Sequence, residues 1–194
     1  MLPKRIFFTG VPGSRWSGIA QILETIPGFN TSDRTTERTY AHHSYTGHVG
    51  AYFGWGMEFE PQIQAEGQEY IDQAWAEPGG TRLVKSHNWP DKFEEIEKYF
   101  SDDWIMLVYR PDMASFAWWH EAGGFQIKYP SYTWYKDEAQ MLYEISRTNK
   151  LILEYACRKK ARWEYFTPDW VKENFNAAVQ IPKVHTDILV ALIK

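Results

Sequence analysis

The stretch RIFFTGVPGSRWSGIAQILE, residues 5–24, constrains this chain more than any other. Ile6, Phe7 and Phe8 form an unalternating apolar run, which suits a strand covered on both faces, as in a parallel sheet. The turn Gly10-Val11-Pro12-Gly13-Ser14 interrupts the run, and a helix is expected from about Ser14 or Arg15. Its apolar positions Ile19, Ile22, Leu23 and Ile26 keep helical spacing up to the stop signal Pro27-Gly28. A turn between a buried strand and a helix N-terminus aims unpaired backbone N–H groups and the positive end of the helix dipole at one point, which makes an anion site. Gly10, Gly13 and Gly18 let the backbone bend and approach. Ser14 and Ser17 offer hydroxyls, and Arg15 offers a planar cation suited to phosphate or sulfate. An ordinary βα turn with a capped helix uses the same residue types, so the segment alone does not separate the two readings. It is not a Walker A loop: no lysine follows the glycines, which removes the cation that nucleoside triphosphate hydrolysis needs.

The same alternation continues along the chain. Strands are expected at residues 82–85 and, most clearly, at 104–109, with helices at 91–99 and 113–121. A long helix over residues 135–159 carries Met141, Leu142, Ile145, Ile152, Tyr155 and Ala156 on one face. Residues 162–166 read as a strand, and Thr167-Pro168 starts a helix to about Asn176. A short strand near 179–181 and a helix from Thr186 complete the pattern. Alternating strands and helices imply an α/β fold, with ligands at the C-terminal strand ends of a central parallel sheet. Residues 31–80 break the rhythm: they are rich in Gly, His and aromatics, followed by a helix around 61–75. The part at about 31–60 is read as an irregular insertion in a single 194-residue domain, facing the substrate or acting as a lid.

Composition removes several function classes. With 25 acidic and 21 basic residues the net charge is −4, so there is no basic field for general nucleic-acid binding. No apolar run reaches the ~20 residues of a membrane span. One cysteine, Cys157, forms no internal disulfide, and no secretory leader is evident, so a soluble, cytoplasmic location is expected. His42, His43 and His48 match no standard zinc spacing, so no metal is expected.

Three stretches together resemble the sulfotransferases that use 3′-phosphoadenosine 5′-phosphosulfate (PAPS). TGVPGSRWSG is similar to their 5′-phosphosulfate loop, Pro-Lys/Arg-Ser-Gly-Thr-Thr: Pro12, Ser14 and Ser17 align, while Gly13 stands at the basic position and Arg15 at the glycine position. RLVKSHNWP, residues 82–90, is similar to the Lys-Thr-His-Leu-Pro segment, and IMLVYRPDMASFAWW, residues 105–119, resembles the 3′-phosphate element. The resemblance implies a three-layer α/β/α, P-loop NTPase-like fold. It also implies transfer of a sulfuryl group from PAPS to a hydroxyl or amine of a small-molecule or carbohydrate acceptor. His87 would be general base, Lys85 and Arg15 would act at the leaving side, and Gly10, Pro12, Gly13, Ser14, Arg15, Trp16, Ser17, Arg110 and Ser115 would bind PAPS or its desulfated product. The family's closing Arg-Lys-Gly-x-x-Gly loop is missing, and CRKKARW, residues 157–163, reads as a solvated helix end.

The chemistry agrees with these residue types. A neutral imidazole, with a reference pKa near ~6.5, accepts the proton of an attacking hydroxyl. Preorganised donors stabilise the charge that develops on the leaving oxygen. Tyr45, Tyr52, Phe53 and Trp55 are expected to line the acceptor pocket, with Trp118, Trp119 and His120 as another wall. Blander roles stay open: Lys85 as a strand-end cation, Arg110 in a pair with Asp112 or Glu121, and tryptophans in the core. Two rival functions remain beside sulfuryl transfer. One is a catalytically degenerate nucleotide- or anion-binding protein of the same fold, and the other is a nucleotide-kinase-like phosphotransferase.

Overall fold

The computed structural model describes residues 2–35, 39–40, 48–55, 57–60, 63–64, 67–127 and 135–194. The first unit is the expected one, strand β1 (Arg5–Thr9), the glycine turn and helix α1 (Trp16–Leu23). Two short strands, β2 (Thr39–Tyr40) and β3 (His48–Val49), pair antiparallel in the insertion, followed by α2 (Gly67–Asp72). The rest of the helix expected around residues 61–75 includes positions outside the described residues. Then come β4 (Arg82–Lys85), α3 (Phe93–Tyr99), β5 (Trp104–Tyr109) and α4 (Asp112–Glu121). The chain ends with α5 (Glu138–Arg158), β6 (Glu164–Tyr165), α6 (Pro168–Phe175) and β7 (Leu189–Ile193).

The strands form one five-stranded sheet in the order β4-β1-β5-β7-β6. β1 lies between β4 and β5, parallel to both, with Phe7 opposite Val84 on one side and Ile105 on the other. β7 runs antiparallel to β5 and to β6, so the sheet is mixed and not wholly parallel as the sequence pattern implied. The helix expected from Thr186 is instead β7, and no strand forms at residues 179–181. Leu189-Val190-Ala191-Leu192-Ile193 is an apolar run that periodicity alone leaves ambiguous, and its five-residue register against β5 decides the outcome.

Successive strand residues point to opposite faces, and each face has its own core. Phe7, Val84, Ile105 and Leu107 pack with Phe93 and Ile96 of α3, Trp119 of α4 and Met141, Ile145 and Ile152 of α5. Ile6, Phe8, Leu83, Met106 and Val108 pack with Ile19 and Leu23 of α1 and Trp170, Val171 and Phe175 of α6. At the N-terminal end of the sheet Arg5 is clamped between Asp72 and Asp103, at 2.8 Å from each. At the other end the tips of β4, β1 and β5 stand side by side, which is where an α/β sheet offers a ligand its crevice. Among the described residues no helix is long and apolar enough to cross a membrane.

Candidate anion-binding site

The glycine turn is a tight, self-bonded loop. Ser14 N–H donates to the Val11 carbonyl at 3.1 Å, and Ser14 Oγ donates to the same oxygen at 2.8 Å. Its hydroxyl therefore fixes the turn and is fully buried. Gly13, at φ +75, presses its backbone against α4, so that a Cβ there would overlap the Ser115 carbonyl oxygen. Only glycine meets both demands. Arg15 is the N-cap of α1 with φ 63 and ψ 17, a left-handed conformation that disfavours a branched or long side chain. Among the described residues no side chain caps α1; Gly18 N–H turns back to the Arg15 carbonyl at 3.1 Å, and the N–H groups of Trp16 and Ser17 open the helix. Pro12 is buried, Ser17 is nearly so, and the Trp16 ring turns inward against Phe8 and Tyr52.

His87 meets this turn from the β4 side. Its Nδ1 donates to the Gly10 carbonyl at 2.7 Å, and its ring stands edge-on to Trp16 with centroids 4.5 Å apart. A ring that donates from Nδ1 carries its basic lone pair on Nε2, so the contact both orients the imidazole and selects its tautomer. The half-buried ring lies beside the turn and not in the interior.

Arg110 meets the turn from the β5 side. Its Nη1 donates to the Ala114 carbonyl at 2.9 Å and to the Gly13 carbonyl at 3.4 Å, and its Nη2 lies 3.5 Å from Asp187 Oδ2. Asp112, a sequence-level candidate to pair with it, instead accepts from Asn149 Nδ2 at 2.6 Å, and the same amide donates to the Arg110 carbonyl at 2.9 Å. Arg15 extends over the Trp118 ring, 3.8 Å from its centroid, and donates to the Val184 carbonyl. Burial first, and then the positive charge of Arg110, pull the Arg15 guanidinium below its ordinary range. Burial and Arg15 likewise push His185 below the usual imidazole value. Arg15 Nε, Arg110 Nε and His185 Nδ1 are buried and find no hydrogen-bond partner among the described residues. Buried donors are nearly always satisfied, so two orphan Nε–H groups on mutually repelling guanidinium groups mark a place that fits an anion.

Beside Arg15 opens a cavity of about 400 Å³, lined by Gly18, Gln21 and Thr25 of α1 and its flank, by Trp118, and by Pro182 and His185. That volume falls within the range of small-molecule pockets.

Other expected participants are committed elsewhere. Lys85 is fully buried, with Nζ 2.7 Å from Glu24 Oε1, 3.1 Å from the Val49 carbonyl and 3.8 Å from Asp33 Oδ2. This ammonium holds the insertion to α1 and β4, which withdraws it from a role at the leaving oxygen. Ser115 is fully buried and donates its hydroxyl to the Arg110 carbonyl at 3.2 Å, so it braces the arginine's backbone and leaves no free hydroxyl for a phosphate. Tyr52 and Phe53 are core residues beside β4, with Phe53 N–H donating to the Lys85 carbonyl at 2.9 Å, and they do not line an acceptor pocket. Trp55 is exposed, Trp119 is core, and His120 stands at the surface 3.5 Å from Glu138. His42, His43 and Tyr45 lie outside the described residues, and His48 lies in β3. Among the described residues no group of three His, Cys, Asp or Glu is placed to hold a metal ion. Arg158 and Lys159 pair with Glu94 and Glu97 at the end of α5, as a solvated helix end does.

The chain matches no family model, no curated protein and no solved structure. Sequence reasoning missed Asn149, His185 and Asp187. The cluster Lys183-Val184-His185-Thr186-Asp187 after Pro182 was the available signal, since such a polar run opens a helix poorly and closes a loop well.

Proposed function

We propose that this chain binds a bis-anionic adenosine nucleotide at the turn and transfers a sulfuryl group from PAPS to an acceptor hydroxyl, with His87 as general base. The observation that carries this reading is the junction of three adjacent strand tips. His87 Nδ1 donates to the Gly10 carbonyl from one side of the turn, and Arg110 Nη1 donates to the Gly13 carbonyl from the other. The left-handed backbone of Arg15 supports the alignment with the sulfotransferase loop, because a glycine stands at that position there.

In this reading the first-turn N–H groups of α1 and the Arg15 guanidinium hold the sulfated end, and Arg110 holds the other anionic end. The cavity beside Trp118 takes the flat base. PAPS, when bound, supplies the transferable group. His87 Nε2 accepts the proton of the acceptor hydroxyl as that oxygen attacks. A binder without turnover is the second reading, favoured by the burial of Lys85 against Glu24, which removes one expected cation from the leaving side.

Titration calorimetry with adenosine 3′,5′-bisphosphate tests the site, and transfer of labelled sulfate from PAPS to a panel of phenol and sugar hydroxyls tests the chemistry. His87→Ala is expected to lower transfer by about 10²–10⁴-fold with nucleotide affinity retained. Undiminished transfer in that variant removes His87 as base, and binding without transfer in the unaltered chain selects the second reading.

A further inference from the structure

One short segment touches both arginines of the site. The Val184 carbonyl accepts from Arg15 Nη1, and Asp187 Oδ2 lies 3.5 Å from Arg110 Nη2. Between them the His185 imidazole sits on Gly18, where a Cβ would overlap its Nε2. The segment is a compact turn, closed by His185 N–H to the Pro182 carbonyl at 2.9 Å and by Thr186 N–H to the Lys183 carbonyl at 3.2 Å. It also supplies Pro182, Val184 and His185 to the wall of the cavity beside Arg15.

Two oxygens, one from a peptide carbonyl and one from a carboxylate, therefore stand against the guanidinium groups that an anionic ligand would engage. Neither contact is of a kind that the core needs. Val184 is exposed, the Asp187 side chain is 62% exposed, and the Arg110–Asp187 separation is longer than a charge-assisted hydrogen bond. Such a pair is worth little and is easily given up. Both arginines meanwhile keep an unpartnered buried Nε among the described residues, so these oxygens satisfy them incompletely.

We propose that residues 182–187 are an internal anion mimic, which occupies Arg15 and Arg110 in the ligand-free chain and yields them to the phosphate groups of an adenosine bisphosphate nucleotide. This rests on the reading of the site given above. Differential contact is what shifts such an equilibrium: the strap bonds the arginines only in the free state, so part of the ligand's interaction is spent on displacing it. Its return to the arginines favours release of the spent nucleotide.

The experiment is calorimetric titration of adenosine 3′,5′-bisphosphate into the unaltered chain, Asp187→Asn and Asp102→Asn. Asp102 is exposed in the turn before β5, at the opposite end of that strand from Arg110, so its variant removes the same charge far from the site. Asp187→Asn is expected to bind about two- to fivefold tighter, the range open to an exposed ion pair, while Asp102→Asn binds as the unaltered chain does. Equal or weaker binding by Asp187→Asn overturns the strap and leaves the nucleotide reading standing. Equal tightening in both variants also overturns it, since overall charge then accounts for the gain. Binding by none of the three overturns the nucleotide reading and the strap with it. If a thermal melt shows Asp187→Asn to be misfolded, Asp187→Ser carries the same outcomes.

Discussion

On the β4 side of the turn, Lys85 is enclosed by Glu24 and Asp33. On the β5 side, Arg110 pairs with the exposed Asp187, Arg15 feels Asp187 and the exposed Glu121, and the two arginines repel one another. Both groups are cations within a few residues of a strand tip, so their sequence settings look alike. Their surroundings differ: the lysine's carboxylates, Glu24 and Asp33, are buried, with Glu24 also bound by Arg34, whereas the carboxylates near the arginines are exposed. A cation already neutralised in the interior serves as a fastener, whereas guanidinium groups with unfilled donors are, in the proposed function, where the external anion binds. That contrast, more than the glycine pattern, supports the proposed site.

The contrast breaks most visibly at Lys85. Lys85→Met leaves Asp33 buried without its cation and Glu24 with Arg34 alone, and is expected to cost about 3–5 kcal/mol in urea unfolding. Burial already holds the Asp33 carboxyl above its usual range, with Lys85 opposing that effect, so the variant raises it further. Nucleotide affinity per folded molecule should stay unchanged. A variant that folds normally but no longer binds would mean that Lys85 belongs to the site after all.

Arg110→Met is the converse, with a smaller effect that falls on the ligand. Losing hydrogen bonds to a charged group costs about 1.5–3 kcal/mol, so calorimetry should show affinity for adenosine 3′,5′-bisphosphate reduced by about ten- to hundredfold. Stability should change little, since among the described residues Arg110 is held by an exposed carboxylate and two carbonyls.

The smallest effect concerns His185. Its folded-state pKa is depressed, by burial and then by Arg15, below the value of a free imidazole. Between those two values the unfolded chain binds more protons than the folded one, so stability rises with pH across that window and falls as pH drops below about 6.5. His185→Gln should flatten this slope in thermal melts taken between about pH 5 and 7. A slope unchanged by the substitution would mean that the β5 side tolerates another positive charge, contrary to the electrostatics drawn here.

Much of this framework could be read from the chain itself. The β1–turn–α1 unit announces itself because a doubly buried strand and an amphipathic helix carry different periodicities, and Ile6-Phe7-Phe8 and Ile19-Ile22-Leu23 show both. The tips bearing His87 and Arg110 followed from their strands in the same way. What escaped was set by distant partners. Lys85 meets Glu24 across 61 positions of sequence, and nothing near either residue announces it. Ser115 has the right type for a phosphate ligand, but the carbonyl five residues earlier claims its hydroxyl. Asp187 reaches Arg110 only because β7 enters the sheet antiparallel beside β5, an arrangement that an apolar run such as Leu189–Ile193 does not declare.

That entry of β7 also orders events in time. Residues of the glycine turn are made before β7, the strand that fills the gap between β5 and β6 and carries Asp187 just ahead of it. Contacts of such long sequence separation form late, because closing the intervening chain costs entropy before anything is gained. A nascent molecule is therefore expected to bring Arg15 and Arg110 together at the turn before β6 and β7 complete the sheet. The docking of β7 then adds Asp187 to the Glu121 that α4 sets near Arg15.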